Sequence, residues 1–307
     1  MSTDLSTNLA GIKLKNPTIL ASGIMGVSAA SLKFCEENGA GAVTLKSIGH
    51  NERIGHHNPT VYVWENGTHN AVGLSNPGID GSIDKIKQMQ SQLSIPLIGS
   101  MFADTIDNFV MVAKKMSVLK PAIIELNLSC PNTADDLGRM YASDIKMTYD
   151  VISAVKKVVG KIPLFAKLTA DVTDIAEIGK SAENAGADGL TAINTVSGIN
   201  IDIKLKRPIL TNKVGGLSGP AIRPIGVRAV WNLYKAVKIP IIGTGGINTG
   251  EDAIEYIMAG ASAVGIGSGV YYRGIDVFKK VTAEMEDFMR EEGYKSVEEM
   301  RGVAHKA

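Results

Sequence analysis

Cysteine is almost absent: Cys35 and Cys130 are the only two in 307 residues. Two thiols can build neither a disulfide framework nor the four-thiolate shell of a typical iron–sulfur cluster, so any such cluster must belong to another chain. Excess charge is also missing. With 32 Lys and Arg against 31 Asp and Glu, a net charge of +1 and a pI near 7.7, the chain shows no basic stripe for nucleic acid or an anionic membrane. Long apolar runs are lacking too. None approaches the roughly 18 residues of a membrane span, and residues 1–16, with Asp4, Lys13 and Lys15, hold no apolar signal core. The expectation is a soluble, cytoplasmic protein with neither nucleic acid nor membrane as partner. Of the five histidines, His50, His56, His57 and His69 fall between the second strand and the next helix, and His305 lies near the C-terminus. Without a carboxylate at ligand spacing, the four read as solvated loop residues, and no metal is expected.

What the chain does have is repetition. Short β-branched runs ending in Gly or Ser, each followed by an amphipathic helical stretch, recur eight times. The predicted strands are 17–22, 41–47, 96–101, 122–129, 163–169, 189–195, 240–245 and 263–268. The helices are 28–38, 82–93, 104–119, 142–159, 172–185, 224–237, 250–259 and 274–292, several closed by Gly39, Gly160, Gly186 or Gly260 as C-caps. Eight βα units without a linker predict one domain over residues 1–307, a (β/α)8 TIM barrel with its site at the C-terminal strand ends. An open doubly wound sheet is the alternative, but no GxGxxG follows the first strand. Three connections, 48–81, 130–141 and 196–223, are long enough to be lids or binding loops at that mouth.

Chemistry gathers there. In Glu125-Leu126-Asn127-Leu128-Ser129-Cys130-Pro131-Asn132, alternation puts Glu125, Asn127 and Ser129 on one strand face, and Pro131 ends the strand. Cys130 therefore stands on a loop at the mouth. A metal-ligand role lacks companions, and a nucleophile would want a His base, so a general base remains; Cys35, on its helix, fits an inert buried thiol. Lys167 shares a face with Phe165 and Thr169, and Lys46 with Thr44. A lysine pointing into a barrel is costly unless a polar or anionic ligand meets it, the alternative being a rim lysine reaching solvent. Gly243-Thr244-Gly245-Gly246-Ile247 and Gly265-Ile266-Gly267-Ser268-Gly269 follow the seventh and eighth strands, the usual phosphate position of this fold, the alternative being tight βα turns only. Asn70, Asn127, Asn132 and Asn194 bring amides to the same mouth, suited to a planar ring of alternating C=O and N–H such as a pyrimidine.

Together these features suggest a flavin mononucleotide redox enzyme, and the motifs give it a family. Over essentially its whole length the sequence resembles the class 1 dihydroorotate dehydrogenases, through Asn127-Leu128-Ser129-Cys130-Pro131-Asn132, residues 70–78, Lys46-Ser47, Asn194-Thr195-Val196-Ser197-Gly198, residues 215–222 and residues 243–247. The resemblance implies oxidation of dihydroorotate to orotate in pyrimidine biosynthesis. Cys130 matches the base that takes the C5 proton while hydride leaves C6 for one FMN per chain, and Lys167 matches the lysine beside the flavin. Substrate contacts would come from Lys46, Asn70, Ala71, Val72, Gly73, Leu74, Asn127, Asn132, Asn194 and Thr195. Flavin contacts would come from Ser22, Lys46, Ser47, Ser100, Asn127, Lys167, Ile193, Gly219, Gly245, Gly246, Gly267 and Ser268. Ser100 stands where many members have asparagine, and Thr133-Ala134-Asp135-Asp136 where bacterial members often have a glycine-rich run.

A cysteine base and the absence of an N-terminal membrane helix set the chain apart from the quinone-linked class. Residues 199–210 and 215–222 look like subclass 1B. That subclass implies a homodimer within a heterotetramer, whose partner subunit carries FAD and an iron–sulfur cluster and delivers electrons to NAD; fumarate is the alternative acceptor. Two other readings compete. A dihydropyrimidine dehydrogenase-like enzyme shares residues 165–169 and 194–198 but typically has His after the proline, where this chain has Asn132. A non-redox phosphate-ligand barrel would explain the glycine turns and leave Cys130 without a purpose.

Overall fold

The computed structural model describes residues 3–128 and 141–306. Its frame is a ring of eight parallel strands: β1 (Thr18–Leu20), β2 (Ala42–Thr44), β3 (Leu97–Met101), β4 (Ile123–Asn127), β5 (Leu164–Leu168), β6 (Gly189–Ala192), β7 (Ile241–Thr244) and β8 (Ala263–Ile266). They pair in chain order, and β8 closes on β1 through Val264↔Thr18, Gly265↔Ile19 and Ile266↔Leu20. Nearly every strand residue is buried, because helices cover one face and the barrel interior takes the other. That two-sided burial is why the strands read as apolar runs.

Eight helices return the chain: α1 (Ala29–Glu37), α2 (Ile83–Gln92), α3 (Ile106–Val118), α4 (Ile145–Lys156), α5 (Ile175–Asn184), α6 (Arg223–Ala236), α7 (Gly250–Met258) and α8 (Val277–Glu292). Side-chain caps start five of them, where Ser28, Thr105, Asp144, Asp174 and Thr249 accept a backbone N–H. Gly39 and Gly260, at φ of 102° and 118°, end α1 and α7 in a conformation that a Cβ would strain. All eight predicted units are present, with limits that differ from the prediction by up to three residues.

An N-terminal hairpin, Thr7–Leu9 against Ile12–Leu14, closes one end of the barrel. Leu9 and Leu14 pack there on Ile19, Ala42, Ile98, Ile123, Phe165, Ile242 and Ala263, one residue from each strand except β6. β6 supplies Gly189 instead, and a Cβ at that position would lie 2.2 Å from the Phe165 ring. With this floor filled, the opposite end alone is a mouth.

Two of the long connections fold into sheet. Residues 48–81 and 196–223 carry strands that meet in a four-stranded antiparallel sheet, in the order Val196–Ile199, Val214–Ser218, Gly67–Asn70, Val61–Trp64. The pairing explains why they are not open loops: backbone groups that would need water find partners in one another. This arm stands over the mouth. The third connection, 130–141, lies almost wholly outside the described residues. Among the described residues no helix is long and apolar enough to cross a membrane.

Candidate functional site

Strand ends and arm together enclose a cavity of about 410 Å³ at the mouth, within the range of small-molecule sites. Its floor is a line of hydrogen-bonded side chains. Ser22 Oγ donates to the Leu45 carbonyl at 2.8 Å and stands 3.3 Å from Ser47 Oγ. Asn127 Nδ2 donates to Ser47 Oγ at 3.3 Å, and Asn194 Nδ2 donates to Asn127 Oδ1 at 3.2 Å. The Asn194 Oδ1 is held by the Thr195 N–H at 2.8 Å. Each amide is thereby oriented, so its remaining donors and acceptors have fixed directions.

Behind the floor lies a second polar layer. Ser47 Oγ and Ser100 Oγ are 2.9 Å apart, Ser100 Oγ donates to Glu125 Oε1 at 3.2 Å, and Thr191 Oγ1 donates to Glu125 Oε2 at 2.9 Å. Glu125 is buried inside the barrel and holds both oxygens against hydroxyls. Lys167 lies in register with Asn127 on β4 and Thr191 on β6, and only 6% of it is exposed. Its side chain lines the cavity, so the inward lysine expected from alternation stands where a ligand would meet it.

The far end of the cavity is glycine. Gly245, Gly246, Gly267 and Ser268 line it, and at Gly246 (φ 72°) a Cβ would come within 2.6 Å of the Gly219 carbonyl oxygen. Bare backbone can therefore approach a ligand closely there, as phosphate recognition requires. Thr68 lines the cavity as well, and its Oγ1 is buried and without a partner among the described residues. An orphaned hydroxyl, a glycine-lined end and an inward lysine together fit a planar ligand carrying a phosphate.

The expected residues divide plainly. Ser22, Lys46, Ser47, Asn70, Val72, Gly73, Leu74, Asn127, Lys167, Ile193, Asn194, Thr195, Gly245, Gly246, Gly267 and Ser268 all line the cavity. Ser100 sits one layer below, Gly219 contributes its carbonyl beside Gly246, and Ala71 is fully buried, its carbonyl 3.1 Å from His56 Nδ1. Cys130 and Asn132 lie outside the described residues. Sequence reasoning missed Val61, Val63, Tyr271 and Thr68. The alternation Val61-Tyr62-Val63-Trp64 was the available signal, since it marks the strand whose odd positions face the ligand.

Two further placements matter. Burial pushes the Cys35 thiol up to about 11, in keeping with an inert residue. His69 corrects the expectation of a solvated loop histidine: it lies in the Gly67–Asn70 strand and is 1% exposed, because the arm folds over it.

The family model described as dihydroorotate dehydrogenase matches residues 4–289. A curated relative from Methanocaldococcus jannaschii, the catalytic subunit of dihydroorotate dehydrogenase B (NAD(+)), is 53% identical over 98% of this chain and 98% of its own length. A relative of the same description from Pyrococcus abyssi is 46% identical over 98% and 99%. Among solved structures, a DHODH from Eimeria tenella in complex with ferulenol superposes with a TM-score of 0.84 at 25% identity, covering 99% of this chain and 89% of the other.

Proposed function

The chain belongs to the dihydroorotate dehydrogenase family, and from that premise we propose that it oxidises dihydroorotate to orotate in pyrimidine biosynthesis, with FMN held in the cavity at the barrel mouth. The observation that carries the reading is the oriented amide line Ser47, Asn127, Asn194, set beside Lys167 and opposite the glycine-lined end. FMN, when bound, is the acceptor for the hydride that leaves C6. The protein's own part is to take the C5 proton and to hold the ring. Cys130, three residues beyond Asn127, takes that proton as thiolate. Lys167 places a positive charge where negative charge develops on the reacting pair.

Substrate recognition falls to the amides. Asn70, Asn127, Asn132 and Asn194 offer paired donors and acceptors to the ring, with Thr195 and residues 71–74 closing around it. Lys46 would touch both ligands. Ser22, Ser47, Ser100, Ile193 and Gly219 serve the flavin, with Gly245, Gly246, Gly267 and Ser268 at its phosphate. Electrons then pass to NAD through a partner subunit carrying FAD and an iron–sulfur cluster. The relatives named as the catalytic subunit of an NAD(+) enzyme support this, as does a chain with only two cysteines. The catalytic chains would pair as a homodimer within that heterotetramer, each chain acting as one FMN-binding domain.

The test is an absorption spectrum of the purified chain, followed by dihydroorotate or dihydrouracil without oxygen. A bound flavin bleached by dihydroorotate supports the reading; no flavin, or bleaching by dihydrouracil alone, sinks it. Cys130→Ala should keep the flavin and slow its reduction by roughly 10²-fold or more. An unchanged reduction rate would remove Cys130 from the role of base.

A further inference from the structure

His69 belongs to no part of the reaction as drawn, yet it is among the most confined polar side chains of the arm. The Gly67–Asn70 strand alternates, so Thr68 and Asn70 face the cavity while His69 points to the other face, 1% exposed. Its Nε2 lies 2.9 Å from the Gly198 carbonyl oxygen. A carbonyl only accepts, so Nε2 carries the proton and donates, and Nδ1 is a bare acceptor without a partner among the described residues.

The bond spans two strands that do not pair with each other. Val214–Ser218 lies between Gly67–Asn70 and Val196–Ile199, and the imidazole passes over it at Gly215. A Cβ at Gly215 would come 2.9 Å from Nε2 and 2.5 Å from the Asn70 carbonyl oxygen. At the neighbouring Gly216 it would come 2.0 Å from Thr195 Oγ1. The double glycine therefore leaves room for the ring and for Thr195 at once.

Both ends of the bond lead directly to the cavity. One residue past His69 stands Asn70, whose Nδ2 donates to the Gly216 carbonyl at 3.3 Å, and residues 72–74 follow along the cavity wall. Four residues before Gly198 stands Asn194, then Thr195. Ser197, between them, is fixed to Asp171 through its N–H at 2.9 Å and its hydroxyl at 2.7 Å.

We propose that His69 is a positioning residue: by fastening Gly67–Asn70 to Gly198 across the glycine strand, it sets the spacing between the Asn70 and Asn194 sides of the substrate pocket. The inference rests on the dihydroorotate reading of that pocket. It concerns ring recognition and leaves flavin binding and proton removal to other residues. Removing the bond should therefore weaken binding of the substrate ring and spare the chemical step.

The experiment uses the FMN-loaded chain and titrates orotate against the flavin absorbance. Dihydroorotate oxidation is then measured with a dye as electron acceptor. His69→Leu is expected to raise the orotate Kd and the dihydroorotate KM about tenfold or more, with flavin content unchanged and the turnover at saturation within about threefold. His69→Gln, which keeps a donor, should restore most of the affinity. If His69→Leu gives no folded protein, His69→Gln and His69→Met, alike in length and different in the donor, carry the same comparison. Equal Kd for Leu and native protein, or for Gln and Met, overturns the positioning role. Native protein that neither binds orotate nor is bleached by dihydroorotate refutes the underlying activity and the inference with it. Native activity with an indifferent His69→Leu refutes the inference alone.

Discussion

At the N-terminal end of the barrel, Ile98, Ile123 and Phe165 point inward onto Leu9 and Leu14. Two residues further along the same strands stand Ser100, Glu125 and Lys167, and two beyond Glu125 stands Asn127 at the cavity. A side-chain period of two makes each strand write one layer of the interior per step. The first layer is apolar and filled; in the next, Ser100 and Glu125 are satisfied internally while Lys167 reaches the cavity; and the last is polar and lines the cavity. Function is thus separated from stability by about 7 Å of strand rise and not by a domain boundary.

Emptying the floor tests that separation most severely. Phe165→Ala removes the ring that occupies the space over Gly189, and should cost about 3–5 kcal/mol, measured by urea denaturation. The flavin spectrum of the folded fraction should stay that of the native protein. Flavin loss at denaturant concentrations where the barrel is still folded would show that floor and mouth are not independent.

The middle layer should respond less. Glu125→Leu takes the acceptor from both Ser100 and Thr191 and should cost about 1–3 kcal/mol, with flavin content falling because Ser47 loses the orientation of its neighbour. Glu125→Gln, which keeps one acceptor and can donate to a hydroxyl, should fall between Leu and the native residue. Denaturation and flavin content of the three proteins decide it. A Leu variant as stable and as flavin-loaded as the native chain would mean that the layer is filler.

The same layering explains what could be read from the sequence. Floor strands are buried on both faces, so their apolar runs stood out, and Lys46 and Lys167 were conspicuous because each broke such a run. The glycine turns after β7 and β8 were legible since their place in the order fixed their place in space. The arm was not. Its strands Gly67–Asn70 and Val214–Ser218 pair across almost 150 residues of chain, and Gly215-Gly216 carries none of the β-branched character that marks a strand. Val61 and Val63 reach the cavity only because the arm stands over the mouth, Tyr271 reaches it from the short helix Gly269–Arg273 after β8, and His69, between Thr68 and Asn70, has no apolar neighbour to announce its burial. Cys130 and Asn132 lie outside the described residues, so their roles rest on the sequence pattern and the motif resemblance.

The smallest expected effect separates the two cysteines. Cys35 is fully buried on α1, and burial holds its thiol at about 11. A raised pKa keeps the thiol protonated and unreactive at pH 8, with thiolate appearing only as the pH climbs toward 11 or as the fold opens. Iodoacetamide at pH 8 should therefore label Cys130 and leave Cys35 untouched in the folded chain, and should label both in urea. Peptide masses after digestion read the outcome directly. Labelling of Cys35 at native conditions would place α1 among the segments that open readily.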